Sequence, residues 1–399
     1  MELSRQTENF IQKLNIKSSI EIPKSKIQIE DLYKMINNAY NKTHKLKIEP
    51  RLTKINNIKD IPIPSGFNSR FLPDEIRESI YEDSNYFIKN DARVKNRTIR
   101  VYFICNEPNM ELEIAKYIEY IKTIILWFEV ASNYSSTTCG KTISIYLFMT
   151  DFKKILPTST VDVIGVKNVN SGFSDICQKN SEIVIYRKEE WLKVLIHESF
   201  HSLGMEFSQM NISDFQKEIN ALFPIKSELG IYEAWAESWA IIMNISLAAY
   251  YLLEDKSSKK DFVMFYEFLM MHEKLYCCYQ VVKILNHMGL TYDILINPKM
   301  MDTVNQLYKE DTNVFAYYII KLIMIFDHIK FLNWCKKNNP HLMRFMHTKE
   351  NLKKLGDYIK SNYKNKSLLK TLKEMEKYNK KKMNDDINNT LRMSLCELV

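Results

Sequence analysis

The sequence predicts an α+β fold, in which a small mixed sheet leads into one buried helix and a mainly helical C-terminal subdomain follows. Three observations carry this reading. Between about residues 98 and 187, β-branched and aromatic runs alternate with amphipathic stretches. Beyond Phe207 the pattern is mostly helical to about residue 380. Between the two lies Trp191–Gly204, apolar nearly all round yet carrying His197-Glu198-Ser199-Phe200-His201.

Residues 1–95 mix short helical patterns, such as Glu30-Asp-Leu-Tyr-Lys-Met-Ile, with the Pro-punctuated run Ile61-Pro-Ile-Pro-Ser-Gly66. They read as an N-terminal subdomain or wrapping arm, or equally as a propeptide, although no cysteine precedes Cys105 to act as a thiolate switch. Residues 96–206 form the expected sheet-containing subdomain. Strands are expected over 99–104, 143–148 and 183–186, a helix from Ala115 to Val130, and the buried helix last. Residues 207–399 form the helical subdomain, whose Met- and aromatic-rich run Phe262–Met271 is core material.

A chain of 399 residues that is 46% apolar and 26% charged can bury a large core. Its first residues lack the apolar segment of a signal peptide. The apolar runs near 239–253 and 314–326 are broken by Asn244 and Lys321 and are too short to span a bilayer, so no membrane partner is expected. Seven cysteines without CxxC pairs predict reduced thiols in a cytoplasmic compartment rather than a disulfide frame. With 8 glycines and no GxGxxG or GxxxxGK pattern, nucleotide chemistry is not expected. The net charge of +8 draws on basic runs at 349–354 and 377–382. These read first as solvated helical faces, with contact to nucleic acid as the competing reading.

The two imidazoles of His197 and His201 are four residues apart and therefore share one helix face, with Glu198 beside them. With 8 His in the chain, about 0.02 chance occurrences of such a pattern are expected. Ile196, Phe200 and Leu203 cover the opposite side, so the helix should be buried. Buried charge must be paired, hydrogen-bonded or bound to metal. Core histidines satisfied by carbonyls, with Glu198 paired to one of them, are the bland alternative.

Two imidazoles do not complete a catalytic zinc site, which takes three protein ligands. The HExxHxxGxxH pattern of metzincins is followed as far as Gly204, but position 207 is Phe. A carboxylate from a later helix is the other route, and the run from Ile231 to Ile242 offers Glu233 and Glu237 on one face with the small Ala236 and Ala240. Two solvated glutamates on an amphipathic helix would give the same spacing. Trp235, Trp239 and Ile242 leave little room for such a face.

On these residues the chain resembles the gluzincin metallopeptidases, in which an HExxH helix is followed by a helix bearing Glu-x-x-x-Asp/Glu. The resemblance implies a zincin-like fold and a zinc-dependent hydrolase of peptide bonds that uses a metal-activated water. His197, His201 and Glu233 would hold Zn²⁺, Glu198 would be the catalytic base, and Glu237 would orient a ligating imidazole. Family members add a Tyr or His that stabilises the oxyanion, for which the candidates are Tyr317, Tyr318, His287 and His328. They also hold extended substrate along a sheet edge, for which 183–187 or 169–173 could serve, a plain structural strand being an equal reading of either segment. No Gly-x-Met-Glu-Asn motif precedes the helix, which favours an endopeptidase over an aminopeptidase.

Over about 98–330, Val169-Asn-Ser-Gly-Phe and Glu182-Ile-Val-Ile-Tyr-Arg-Lys-Glu-Glu-Trp191 also look like uncharacterised predicted metallopeptidases of giant nucleocytoplasmic DNA viruses. That implies the host cytoplasm or the virion as location. The competing function is a virion structural or packaging protein with a structural zinc and a tail on nucleic acid.

Overall fold

A computed structural model describes residues 1–14, 27–107, 109–380 and 386–399. Among the described residues six strands form one open mixed sheet: β1 (Arg51–Lys54), β2 (Tyr86–Val94), β3 (Arg97–Cys105), β4 (Thr142–Phe148), β5 (Gly172–Ser174) and β6 (Asn180–Ile185). Their spatial order is β1-β2-β3-β4-β6-β5. Strands β3, β4 and β6 run parallel, while β1, β2 and β5 pair antiparallel with their neighbours. The expected α+β class holds at this level.

Side-chain alternation sorts the parallel strands into two faces. Val101, Phe103, Ile145, Leu147, Ile183 and Ile185 enter the main core, which continues into the helices. Ile104, Phe148, Val184 and Tyr186 point the other way and pack on Ile61, Phe67, Leu72, Ile76 and Ile80. The Pro-punctuated N-terminal stretch therefore covers the back of the sheet. The N-terminal region also contributes β1 and β2. The charged Lys89-Asn90-Asp91 stretch interrupts the apolar alternation that would have marked β2 as a strand.

Four helices matter for the site and its surroundings: α1 (Met110–Ala131), α2 (Trp191–Ser202), α3 (Ile231–Tyr251) and α4 (Lys259–His287). Every residue of α2 is buried, as its all-round apolarity requires. It stops at a Schellman turn, where Gly204 takes φ +62° and donates to His201 O while Met205 N donates to Phe200 O. The basic runs lie on amphipathic helices at Lys349–Asn362 and Lys366–Lys380, which bury Leu352, Leu355, Leu368 and Leu372. Lys381 and Lys382 lie outside the described residues. Among the described residues no helix is long and apolar enough to cross a membrane.

One expectation is corrected. Cys139 and Cys177 form a disulfide, while Cys105, Cys277, Cys278, Cys335 and Cys396 are free and buried. The bridge joins the loop before β4 to the turn between β5 and β6. A separation of 38 residues carries no spacing signal for such a pair.

Candidate metal centre

Helix α2 leaves β6 and packs along α3, so that His197 and His201 face Glu233 across the helix pair. The Nε2 atoms of the two imidazoles are 3.3 Å apart, and each approaches Glu233 Oε2, at 3.1 Å and 3.3 Å respectively. One ligand atom from each of the three residues fits within a 4.8 Å span. Glu237, one turn further along α3, meets His197 Nδ1 at 2.9 Å through Oε2. Trp235 and Trp239 are fully buried on the remaining sides of α3. The solvated-glutamate alternative is thereby excluded, since the Glu237 side chain is 1% exposed and that of Glu233 13%.

The far nitrogens complete the picture. His201 Nδ1 lies 3.5 Å from Glu206 Oε1, an ion-pair contact too long for a good hydrogen bond. Glu206 stands just beyond the helix end and was not anticipated from the sequence. Neither were Ser174, whose Oγ donates to Glu198 Oε2 at 2.8 Å, nor Lys193, whose ammonium contacts Glu237. These three are common residue types, and only tertiary proximity singles them out.

Burial works against charge on the two imidazoles and on Glu233 and Glu237, and the pairing outweighs it. Burial alone would depress the imidazoles, yet Glu233, with Glu237 on one ring and Glu206 on the other, raises His197 and lifts His201 well above the ordinary value. Burial would raise the carboxyls, yet His201 and His197 hold Glu233 far below the usual range. Lys193 and His197 do the same for Glu237. Four acidic side chains, Glu198, Glu206, Glu233 and Glu237, stand around the two imidazoles. This field attracts a cation, and the donor set of two nitrogens and one carboxylate oxygen suits zinc.

A cleft of about 510 Å³ opens on Glu198, His201 and Glu233, with Tyr232, Asn313 and Tyr317 also lining it. Of the four oxyanion candidates, Tyr317 alone is brought here. Its ring lies 5.9 Å from that of His197, and it sits in a π-helical turn, Phe315–Ile320, of the kind that recurs at functional sites. Burial, then the charges of Glu233 and Glu198, push its phenol well above the ordinary value, so it stays a neutral donor. Tyr318 instead donates to Leu391 O, His287 Nε2 contacts Asp162 O, and His328 is buried beside Tyr266.

Strand β5 forms the wall of the cleft and the edge of the sheet. Of the two segments expected to offer that edge, it is 169–173 that leads into it, since β6 is enclosed between β4 and β5. Ser171 O and Asp175 N bond towards β6. The alternation of an antiparallel pair therefore turns the backbone groups of Gly172 and Ser174 outward, into the cleft.

No protein-family model, no curated protein and no solved structure matches the chain.

Proposed function

We propose that the chain is a zinc metallopeptidase of gluzincin type, acting as an endopeptidase. The observation that supports this best is the convergence of His197 Nε2, His201 Nε2 and Glu233 Oε2, with His201, Glu233 and the adjacent Glu198 lining an open cleft. Bound by those three residues, Zn²⁺ supplies Lewis-acid polarisation of a carbonyl and acidifies water. Glu198 takes the proton of the attacking water and passes it to the leaving amine. Tyr317 donates its hydroxyl to the developing oxyanion. Glu237 fixes the ring orientation and tautomer of His197. An extended substrate adds to the outer edge of β5 through Gly172 and Ser174.

The openness of the cleft favours catalysis over a structural brace, because structural zinc sites are closed by protein ligands. The resemblance of 169–173 and 182–191 to predicted metallopeptidases of giant nucleocytoplasmic DNA viruses supports a viral setting. The Cys139–Cys177 bridge favours the virion over the reducing host cytoplasm.

The test is metal analysis of purified protein together with cleavage of a peptide library, comparing wild type with Glu198→Gln. One zinc per chain in both proteins, with hydrolysis lost by a factor of about 10² or more only in the variant, is the expected result. Zinc in both with no cleavage by either would favour the brace. Absence of zinc from the wild type would sink the metal reading altogether.

A further inference from the structure

Lys193 Nζ lies 2.8 Å from Glu237 Oε1 and 3.0 Å from Oε2, with both side chains almost fully buried. Lys193 is one turn before His197 on α2, and Glu237 is on α3. The same Glu237 Oε2 that meets Lys193 also meets His197 Nδ1. The three side chains thus close a triangle across the two helices that carry the candidate ligands.

A buried lysine is an expensive way to join two helices. Apolar side chains of similar volume in place of a buried ion pair are often neutral or stabilising, so stability alone is weak grounds for this pair. What it adds is direction. With Oε1 held by the ammonium and Oε2 shared, the Glu237 carboxylate has one orientation, and the His197 ring follows it. The Nε2 of that ring is thereby aimed at Glu233.

The neighbouring lysines are committed elsewhere. Lys321 Nζ contacts Cys277 Sγ at 3.2 Å and Met393 O at 3.1 Å, and Lys154 Nζ pairs with Glu190 at 2.8 Å. Among the described residues Lys193 is the lysine in contact with Glu237. Its own position is fixed by the segment near the end of the chain. Met393 Sδ sits 3.6 Å from Nζ, and Met393 is anchored through its N–H to Glu190 and its carbonyl to Lys321.

We infer that Lys193 is a positioning residue for the metal centre, acting through Glu237 to orient His197. The inference rests on the metal-site reading above. It makes Lys193 matter for metal affinity although it touches neither metal nor substrate.

Zinc affinity of the full-length protein, measured by competition with a chromogenic chelator, tests it in wild type, Lys193→Met, Lys193→Arg, Glu237→Gln and the Lys193→Met/Glu237→Gln double variant. Lys193→Met should weaken binding by about 10- to 100-fold, as loss of an outer-shell partner does. Lys193→Arg, which keeps the charge, should recover part of the loss. The double variant should bind no more weakly than Glu237→Gln alone, because the two act as one unit.

Thermal midpoints of the metal-free proteins, taken alongside, separate positioning from folding. Lys283→Met provides the control, because Lys283 is a buried lysine that holds Ile387 O and Thr390 O instead. If it lowers zinc affinity as much as Lys193→Met does, the effect is general loosening and the inference fails. Wild-type affinity in Lys193→Met, or losses that simply multiply in the double variant, would also overturn it. Should Lys193→Met not fold, Lys193→Gln carries the same comparison. A wild-type protein that binds no zinc removes the metal reading itself, a result distinct from zinc binding that is indifferent to Lys193.

Discussion

Ser174 on the sheet edge and Glu198 on the buried helix are joined by a hydrogen bond of 2.8 Å, and the same hydroxyl lies 3.0 Å from the Glu198 carbonyl. The strand that would carry substrate is thereby tied to the proposed base. Ser174→Ala removes the donor while leaving the backbone edge in place. We expect kcat for peptide hydrolysis to fall about tenfold with KM changed by less than threefold, since one hydrogen bond to a charged group is worth about 1.5 kcal/mol. Steady-state kinetics on a cleavable peptide decide it, and unchanged kcat would remove Ser174 from the proposed mechanism.

Tyr317 and Tyr318 are adjacent in sequence and differ in surroundings. The π-helical turn sends Tyr317 to the cleft and leaves the Tyr318 hydroxyl on Leu391 O. Tyr317→Phe should lower kcat by about 10²- to 10³-fold, the usual loss for one oxyanion donor, with KM little altered. Tyr318→Phe should leave kcat near wild type and lower stability by about 1 kcal/mol. Equal effects of the two variants on kcat would refute the assignment.

The parts of this site that could be read from the sequence are those whose signal is local. His197, Glu198 and His201 announce themselves because histidine is rare in this chain and helical spacing puts the three on one face. Glu233 and Glu237 do so because carboxylates in a Trp-rich apolar run must be accounted for. Ser174, Lys193 and Glu206 carry no such mark. A serine in a short strand, a lysine in a helix and a glutamate after a glycine turn acquire meaning only when β5, α2 and α3 are packed. The same holds for Cys139 and Cys177, and for β1 and β2, whose mixed composition hides strands that pairing with β3 stabilises.

Gly172 tests how tightly β5 is pressed against the helix. A Cβ there would lie 2.7 Å from Val184 O, 2.9 Å from Val194 Cγ1 and 3.4 Å from Glu198 Cγ. The first of these is backbone in the neighbouring strand and cannot move without disturbing the pairing of β5 with β6. Gly172→Ala should therefore destabilise the protein by about 1–3 kcal/mol in urea unfolding and reduce hydrolysis more than Ser174→Ala does. Wild-type stability would mean that the strand lies further from the helix than the geometry states.

Zinc should also stabilise the fold, because the candidate ligands come from two helices and a cation bound to the native state shifts unfolding by mass action. At a free zinc concentration 1,000 times Kd the gain is about 4 kcal/mol. Thermal unfolding with and without a chelator should show a rise of several degrees in the zinc-loaded protein. Glu233→Gln should abolish most of that rise. A midpoint indifferent to zinc in the wild type would contradict the three-ligand assignment.

Glu310 sets a pH dependence that is independent of the metal. Burial raises its carboxyl to about 7, although Phe315 N, at 2.6 Å, and the Tyr308 hydroxyl, at 2.9 Å, both donate to it. The folded state therefore holds a proton on Glu310 that the unfolded chain releases near the ordinary value of 4.5. The stability this contributes is fully present below about 4.5 and is lost as pH rises through about 7, a span worth on the order of 3 kcal/mol. Glu310→Gln keeps an acceptor for Phe315 N and cannot ionise. Urea unfolding between pH 4.5 and 8 should show the variant gaining on wild type up to about pH 7 and levelling off above it, by a few kcal/mol in all. A stability difference between the two proteins that does not change across this range would refute the assignment of a proton to Glu310.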